Sequence, residues 1–288
     1  MIPRFRLDRP ATIEAALEAR NRDRDESAYM AGGTELLQVM KMGLTQVSHL
    51  IDLKGIPGLR DIGIGADGVL EIGALATHRD IERSALVARA LPEFVALERG
   101  VGNVRVRATG TIGGNLAFAE PHSDPAPFLI ACGATVELTG AGGIRTVPLD
   151  GFIAGPLATI REDDEILRAI RIPATAAGEG RAYEKLAFAE RPTVSVAVAA
   201  TVRDGRVAHA SIVLGSVTDT PISLAATAKA LVGRDLHELD DVIASLLHDP
   251  PDAIDAFTDQ NGSADYKRHL AWQLVGRATR RATGLLAA

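Results

Sequence analysis

Two glycine pairs constrain this chain more than any other feature. The first lies in "YMAGGTELLQVM", residues 29–40, and the second in "RATGTIGGNLAFAEPHSDPAP", residues 107–127. The first pair stands between a short apolar run and a stretch of helical spacing. Glycines in such a turn let successive N–H groups point one way, and a helix starting there adds first-turn amides that lack partners. The result is a nest for an anion. Gly32-Gly33-Thr34 has this form, and Gly113-Gly114-Asn115 is a second candidate. Thr34, Thr111 and Asn115 add short polar side chains. Two nests facing each other suit a pyrophosphate. Neither matches G-x-G-x-x-G or a P-loop, so a Rossmann dinucleotide site or an ATPase is not supported.

The flanking pattern reads as mixed helix and strand. Thr12 precedes a helix with Ile13, Ala16 and Leu17 on one face, "SAYM" is a short strand, "TELLQVMKMG" a helix stopped by Gly43, and "SHLIDL" a further strand. The first 55 or so residues thus form a β-α-β-α-β unit. "DIGIGADGVLEIG" is a hairpin about its "ADG" turn. "THRDIERSALVARALPEFVALERGV" is helical, with Thr77 as cap and Pro92 opening a second helix. The stretch from Gly102 onward begins with turns and ends in a hairpin about "TGAGG", and "DEILRAIRIP" is an edge strand before Pro173. "ATAAGEGR", 174–181, has linker character; beyond it lies an antiparallel meander with a "RDGRV" turn, then helices ending in "SADYKRHLAWQLVGRATRRAT" with Leu270 and Trp272 on the buried side. A boundary is expected near residue 176.

The 288 residues exceed one small core, which predicts about two domains. Net charge is −6 with both signs interspersed, which argues against a nucleic-acid partner. The start "MIPRFRLDRP" does not read as a signal peptide, no apolar run reaches the ~20 residues of a membrane span, and cytoplasm is the expected location. Cys132 is the only cysteine and is expected to be buried. One cysteine cannot hold an iron–sulfur cluster, and the seven histidines show no metal-ligand spacing, so no metal is expected on this chain. His122-Ser123-Asp124 is not read as a hydrolase triad, because adjacent side chains point apart. Asp124 is better read as an acceptor for a sugar hydroxyl, and Lys185 as a cation aimed at a cofactor. No residue is assigned as catalytic, and the acidic runs "RDRDE" and "REDDE" are expected to be solvated loops.

"AGGTELL", "ATGTIGGNLA", "PHSDPAP", "DEILRAIRIP" and "YEKL", in this order over nearly the whole chain, resemble the FAD-binding medium subunit of the molybdenum hydroxylases. That family includes the flavoprotein subunits of carbon monoxide and xanthine dehydrogenases. The resemblance implies an α+β chain. Residues 1–175 would be an FAD-binding domain of the vanillyl-alcohol oxidase and p-cresol methylhydroxylase type, with subdomains of about 1–55 and 56–175. Residues 176–288 would be a small α+β domain with an antiparallel sheet. Ala31, Gly32, Gly33, Thr34, Glu35 and Leu36 would line one side of the FAD pyrophosphate, and Thr111, Ile112, Gly113, Gly114 and Asn115 the other. Asp124 would meet the ribose or ribityl region, Val101 and Gly102 the flavin surroundings, and Leu167 and Lys185 further parts of the cofactor. The partners implied are a large molybdenum-cofactor subunit and a small subunit with two [2Fe-2S] clusters, arranged as a dimer of heterotrimers. Electrons would pass from the clusters through FAD to an external acceptor. With Cys132 alone, the cluster-inserted variant that reduces hydroxybenzoyl-CoA is disfavoured. Other readings are a self-contained FAD-dependent oxidoreductase of the same fold and a scaffold that has lost its flavin.

Overall fold

The computed structural model describes residues 2–188 and 190–286. The N-terminal stretch forms the expected unit: β1 (Arg6–Asp8), α1 (Ile13–Arg22), β2 (Ser27–Met30), α2 (Leu36–Met42) and β3 (His49–Asp52). The strands pair in parallel in the order β1-β3-β2. Parallel neighbours need a crossover, and each helix supplies one. Thr12 caps α1 by accepting from the Ala15 amide at 3.2 Å, and Gly43 closes α2 in the left-handed conformation. Successive side chains of β3 point to opposite faces. Ile51 packs with Ala16 and Ala19 of α1, and Leu50 with Met30 and Met40.

The chain continues through β4 (Ile62–Ile64), β5 (Leu70–Gly73), α3 (His78–Arg83), α4 (Ala85–Ala90), α5 (Pro92–Arg99), α6 (Val104–Thr109), α7 (Ile112–Phe118) and α8 (Pro125–Ala131). Strands β6 (Thr135–Gly140), β7 (Gly143–Pro148), β8 (Ile153–Gly155), β9 (Ala158–Thr159) and β10 (Ile166–Ile172) follow. An antiparallel five-stranded sheet has the order β4-β5-β10-β6-β7. Two expectations are corrected here. Strand β10 is central, not an edge: Pro173 only ends it, and its arginines are matched across the sheet, Arg171 to Glu71 at 2.7 Å and to Glu137 at 3.3 Å. The stretch after Gly102 is helical where turns were expected. Asn103 caps α6, Thr111 caps α7, and Pro125 opens α8. Helices of six or seven residues are too short for their period to stand out.

The remainder is the expected meander: β11 (Glu179–Ala187), β12 (Pro192–Arg203), β13 (Arg206–Gly215) and β14 (Ile222–Ser223). Asp204 and Gly205 both have positive φ, 50° and 73°, as a two-residue hairpin turn requires. Helices α9 (Ala225–Leu231), α10 (Leu239–His248) and α11 (Ala264–Ala282) cover this sheet, with Trp272 buried and Leu270 packed against its core. All of α8 is buried, and Ala197 of β12 and Val213 of β13 join the core that α8 shares with the five-stranded sheet. That shared core fixes β11 beside the start of α8, which decides the shape of the site.

Candidate cofactor site

A cavity of ≈ 420 Å³ lies where the two glycine turns meet. Its first wall is the turn between β2 and α2. Among the described residues, none accepts a hydrogen bond from the amides of Gly32, Gly33, Thr34, Glu35 or Leu36. Gly33 has φ +74°, a conformation glycine adopts without strain. Gly32 lies so close to the second turn that a Cβ there would overlap the Thr109 carbonyl oxygen and stand 2.9 Å from Gly110 Cα. Glycine is therefore needed at position 32 for the contact of the two turns as well as for any ligand.

The second turn differs from its expected role. The Ile112 amide donates to Ala76 O at 3.0 Å, Gly113 to Ala74 O at 2.9 Å, Gly114 to Thr111 Oγ1 at 3.1 Å and Asn115 to Thr111 O at 2.9 Å. All four donors are committed within the chain, so this turn is not an open nest. A Cβ on Gly113 would overlap the Ala74 side chain and lie 2.7 Å from its carbonyl oxygen, so this glycine serves packing. Asn115 Oδ1 accepts from Ser123 Oγ at 2.6 Å, and its Nδ2 has no partner among the described residues.

All but two of the residues expected at the site line the cavity: Ala31 to Leu36, Val101, Gly102, Thr111, Gly113, Gly114, Asn115, Asp124 and Leu167 do so. Ile112 is fully buried in the core of the five-stranded sheet. Lys185 stands behind Asp124, with Nζ 2.9 Å from Asp124 Oδ2 and 2.9 Å from the Gly100 carbonyl. It holds the carboxylate instead of facing the cavity. The Tyr183 hydroxyl donates to the other Asp124 oxygen. Burial raises the Asp124 pKa against the pull of Lys185. Each carboxylate oxygen can accept a further bond, so Asp124 keeps capacity for a sugar hydroxyl. Neighbouring His122 and Ser123 have other partners, as expected of residues that do not form a triad.

Several cavity residues escaped the sequence reading. His78 and Glu98 form a buried pair, Nδ1 to Oε2 at 2.7 Å, and His78 lines the cavity. Glu98 falls four residues after Phe94 on the apolar face of α5; an acid on such a stripe was the available signal. His122 bridges Glu120 at 3.0 Å and Asp259 at 2.9 Å, and Asp259 meets the fully buried Lys267 at 2.8 Å. Burial opposes ionisation of Asp259, but Lys267, His122 and the Asn261 amide draw its pKa down to about 2. Arg161, Asp163 and Glu165 of "REDDE" also line the cavity, which corrects their reading as a solvated loop. Tyr29, at the end of β2, buries its hydroxyl without a partner among the described residues, and burial pushes its pKa up to about 12.

This donor set fits a dinucleotide. Five open amides and the Asn115 Nδ2 are suited to a diphosphate, and Asp124 to a sugar hydroxyl. The family model described as the FAD binding domain in molybdopterin dehydrogenase matches residues 3–175, and that described as the CO dehydrogenase flavoprotein C-terminal domain matches residues 187–282. The chain belongs to this family of molybdopterin-dehydrogenase flavoproteins. It is 33% identical over 279 residues to a carbon monoxide dehydrogenase medium chain of Hydrogenophaga pseudoflava, covering 96% of each chain. To the nicotine 6-hydroxylase medium subunit of Paenarthrobacter nicotinovorans it is 31% identical over 276 residues, again covering 96% of each. A solved structure of the Hydrogenophaga pseudoflava carbon monoxide dehydrogenase contains a chain that superposes with a TM-score of 0.92 over 100% of both chains, at 33% identity. Among the described residues, no helix is long and apolar enough to cross a membrane.

Proposed function

We propose that this chain holds FAD in the cavity between its two glycine turns and passes electrons as the medium subunit of a multi-subunit molybdenum hydroxylase. The observation that carries this reading is the run of five open amides on the cavity wall. Held there, FAD would supply the one- and two-electron chemistry that links single-electron donors to an acceptor. The chain's own part is to bind and orient. The amides of Gly32–Leu36 meet the diphosphate. Thr111 and the Asn115 side chain face it from the opposite wall. Asp124, held by Lys185 and Tyr183, accepts from a sugar hydroxyl, while Val101, Gly102 and Leu167 pack beside the rings. Ile112 supports the wall from the core.

Residues 1–175 would be the FAD-binding domain, in subdomains of about 1–55 and 56–175, and 176–288 the C-terminal domain. The clusters and the molybdenum cofactor belong on partner subunits, because this chain's one cysteine is buried and burial pushes its thiol up to about 12. A small [2Fe-2S] subunit would supply the electrons and a large molybdenum subunit would oxidise the substrate. We place the assembly in the cytoplasm as a dimer of heterotrimers. The test is an absorption spectrum of the purified chain, with the chromophore released by acid and identified. Released FAD, about one per chain, is the expected outcome. A colourless chain that also fails to take up added FAD would overturn the assignment.

A further inference from the structure

The buried His78–Glu98 pair has a direction. The imidazole Nδ1 is bound to Glu98 Oε2 at 2.7 Å, and the opposite ring edge reaches the junction of the glycine turns. His78 Cδ2 lies 3.3 Å, and Thr34 Oγ1 3.5 Å, from the point where a Cβ on Gly110 would stand. Nε2 adjoins Cδ2 in the ring and has no hydrogen-bond partner among the described residues. The open amides begin on the same wall, two residues before Thr34. We propose that His78 Nε2 is a proton-dependent donor to the diphosphate of the bound nucleotide, and that Glu98 holds the proton there; this rests on the cavity being the dinucleotide site.

The chemistry turns on one proton. With the imidazole neutral and Nδ1–H given to Glu98, Nε2 presents a lone pair, which repels an anion. With a second proton on Nε2, the same atom becomes a charged donor, and charge-assisted bonds to phosphate are the stronger kind. Burial alone would drive that proton off. The Glu98 carboxylate outweighs burial and raises His78 above its ordinary value. The groups that act on the ring are Glu98 of α5, Asp124 at the start of α8, which also favours the proton, and Arg107 of α6, which opposes it. Burial raises Glu98 above the usual carboxylate range, His78 pulls against that rise, and Asp124 and Glu82 of α3 add to it, so the two groups of the pair share one environment that keeps a proton between them. Glu98 Oε1 has no other partner among the described residues, so His78 is what keeps this fully buried acid matched. His122, the other cavity histidine, commits both ring nitrogens to Glu120 and Asp259 and contributes only its field.

The sign follows by linkage. An anion that needs His78 protonated binds best below the raised pKa of the free chain and more weakly as pH rises through it, by at most about tenfold per pH unit. The experiment uses the full chain stripped of flavin, titrated by calorimetry with FAD, ADP and riboflavin from about pH 6 to about pH 9. FAD should weaken with rising pH throughout, ADP should weaken above about pH 7, where its terminal phosphate has lost its last proton, and riboflavin should stay level. His78→Gln should be roughly tenfold weaker for FAD and ADP at the acid end and should lose the slope. Because H78Q leaves Glu98 buried alone, the double variant H78Q/E98Q is measured beside it; it keeps a neutral hydrogen-bonded pair and should be equally flat. A wild-type slope retained in the double variant overturns the inference, and so does a slope for FAD without one for ADP, which would move the proton to the ring end. Failure of the wild-type chain to bind FAD at any pH would instead overturn the dinucleotide site itself.

Discussion

The two glycine turns look alike in sequence and do opposite things. At Gly32–Leu36 the amides are open and the side chains are incidental. At Ile112–Asn115 every amide is committed, and the glycines are there for contact. The difference lies in what surrounds each turn. The first leaves a parallel sheet and starts α2 at the cavity. The second is seated on the residues that follow β5, whose Ala74 and Ala76 carbonyls take its amides, with the Thr111 hydroxyl closing the set. A Gly-Gly pair therefore reports a close backbone approach, and only the partners of its amides say whether that approach is to a ligand or to the protein.

The sharpest way to break this contrast is at the contact itself. Gly32→Ala and Gly113→Ala both place a methyl group inside fixed backbone or a packed alanine. Each is expected to lower unfolding stability by roughly 2–3 kcal/mol, read from denaturant midpoints. G32A should also abolish FAD retention, because it moves the open amides as well as the junction. A G32A chain that kept wild-type stability would mean that the turns can separate freely, and the two walls would no longer be one site.

The outline of the fold was legible because it rests on local signals. The cap at Thr12, the stop at Gly43, the hairpin at Asp204-Gly205 and the strand runs all lie within a few residues of their cause. The first glycine turn was legible for the same reason. What escaped depended on distant partners. Strand β10 looked like an edge because Pro173 follows it, while the acids that match its arginines lie on β5 and β6. Arg161 and Glu165 looked solvated because a charged run normally is, but the loop lies against α1, where Arg20 Nε donates to the Asp163 carbonyl at 3.2 Å, and lines the cavity. The committed amides at 112–115 have the same origin, since no local pattern announces the Ala74 and Ala76 carbonyls. Glu98 and Lys267 were the exceptions that could have been found, as charges on otherwise apolar helical stripes.

A milder change sharpens the contrast. Thr111→Val removes the hydroxyl that accepts from the Gly114 amide and caps α7. The free chain should lose about 1 kcal/mol. With FAD bound the loss should be smaller, because the freed Gly114 amide then meets the cofactor. Equal losses with and without FAD would show that the second turn gains no donor from the change. On the approach to the first turn, Tyr29→Phe should raise stability by up to about 1 kcal/mol, since the buried hydroxyl it removes has no partner among the described residues. A loss of that size in the thermal midpoint would mean that the hydroxyl is bonded in solution.

The smallest expected effect lies on Glu35, the one acid inside the open run. Its carboxylate stands 3.9 Å from Arg191, which also meets Glu120 at 3.0 Å. Neutralising it removes a negative charge beside the amides and frees part of the Arg191 charge for the cavity, so both consequences favour an anion. Glu35→Gln should bind ADP roughly twofold tighter at low salt, with the gain fading as salt screens these half-exposed groups. The same exchange at a residue behind a committed amide would change little. Tightening that persisted at high salt would point to a contact rather than a field, and would place the Glu35 side chain itself in the nest.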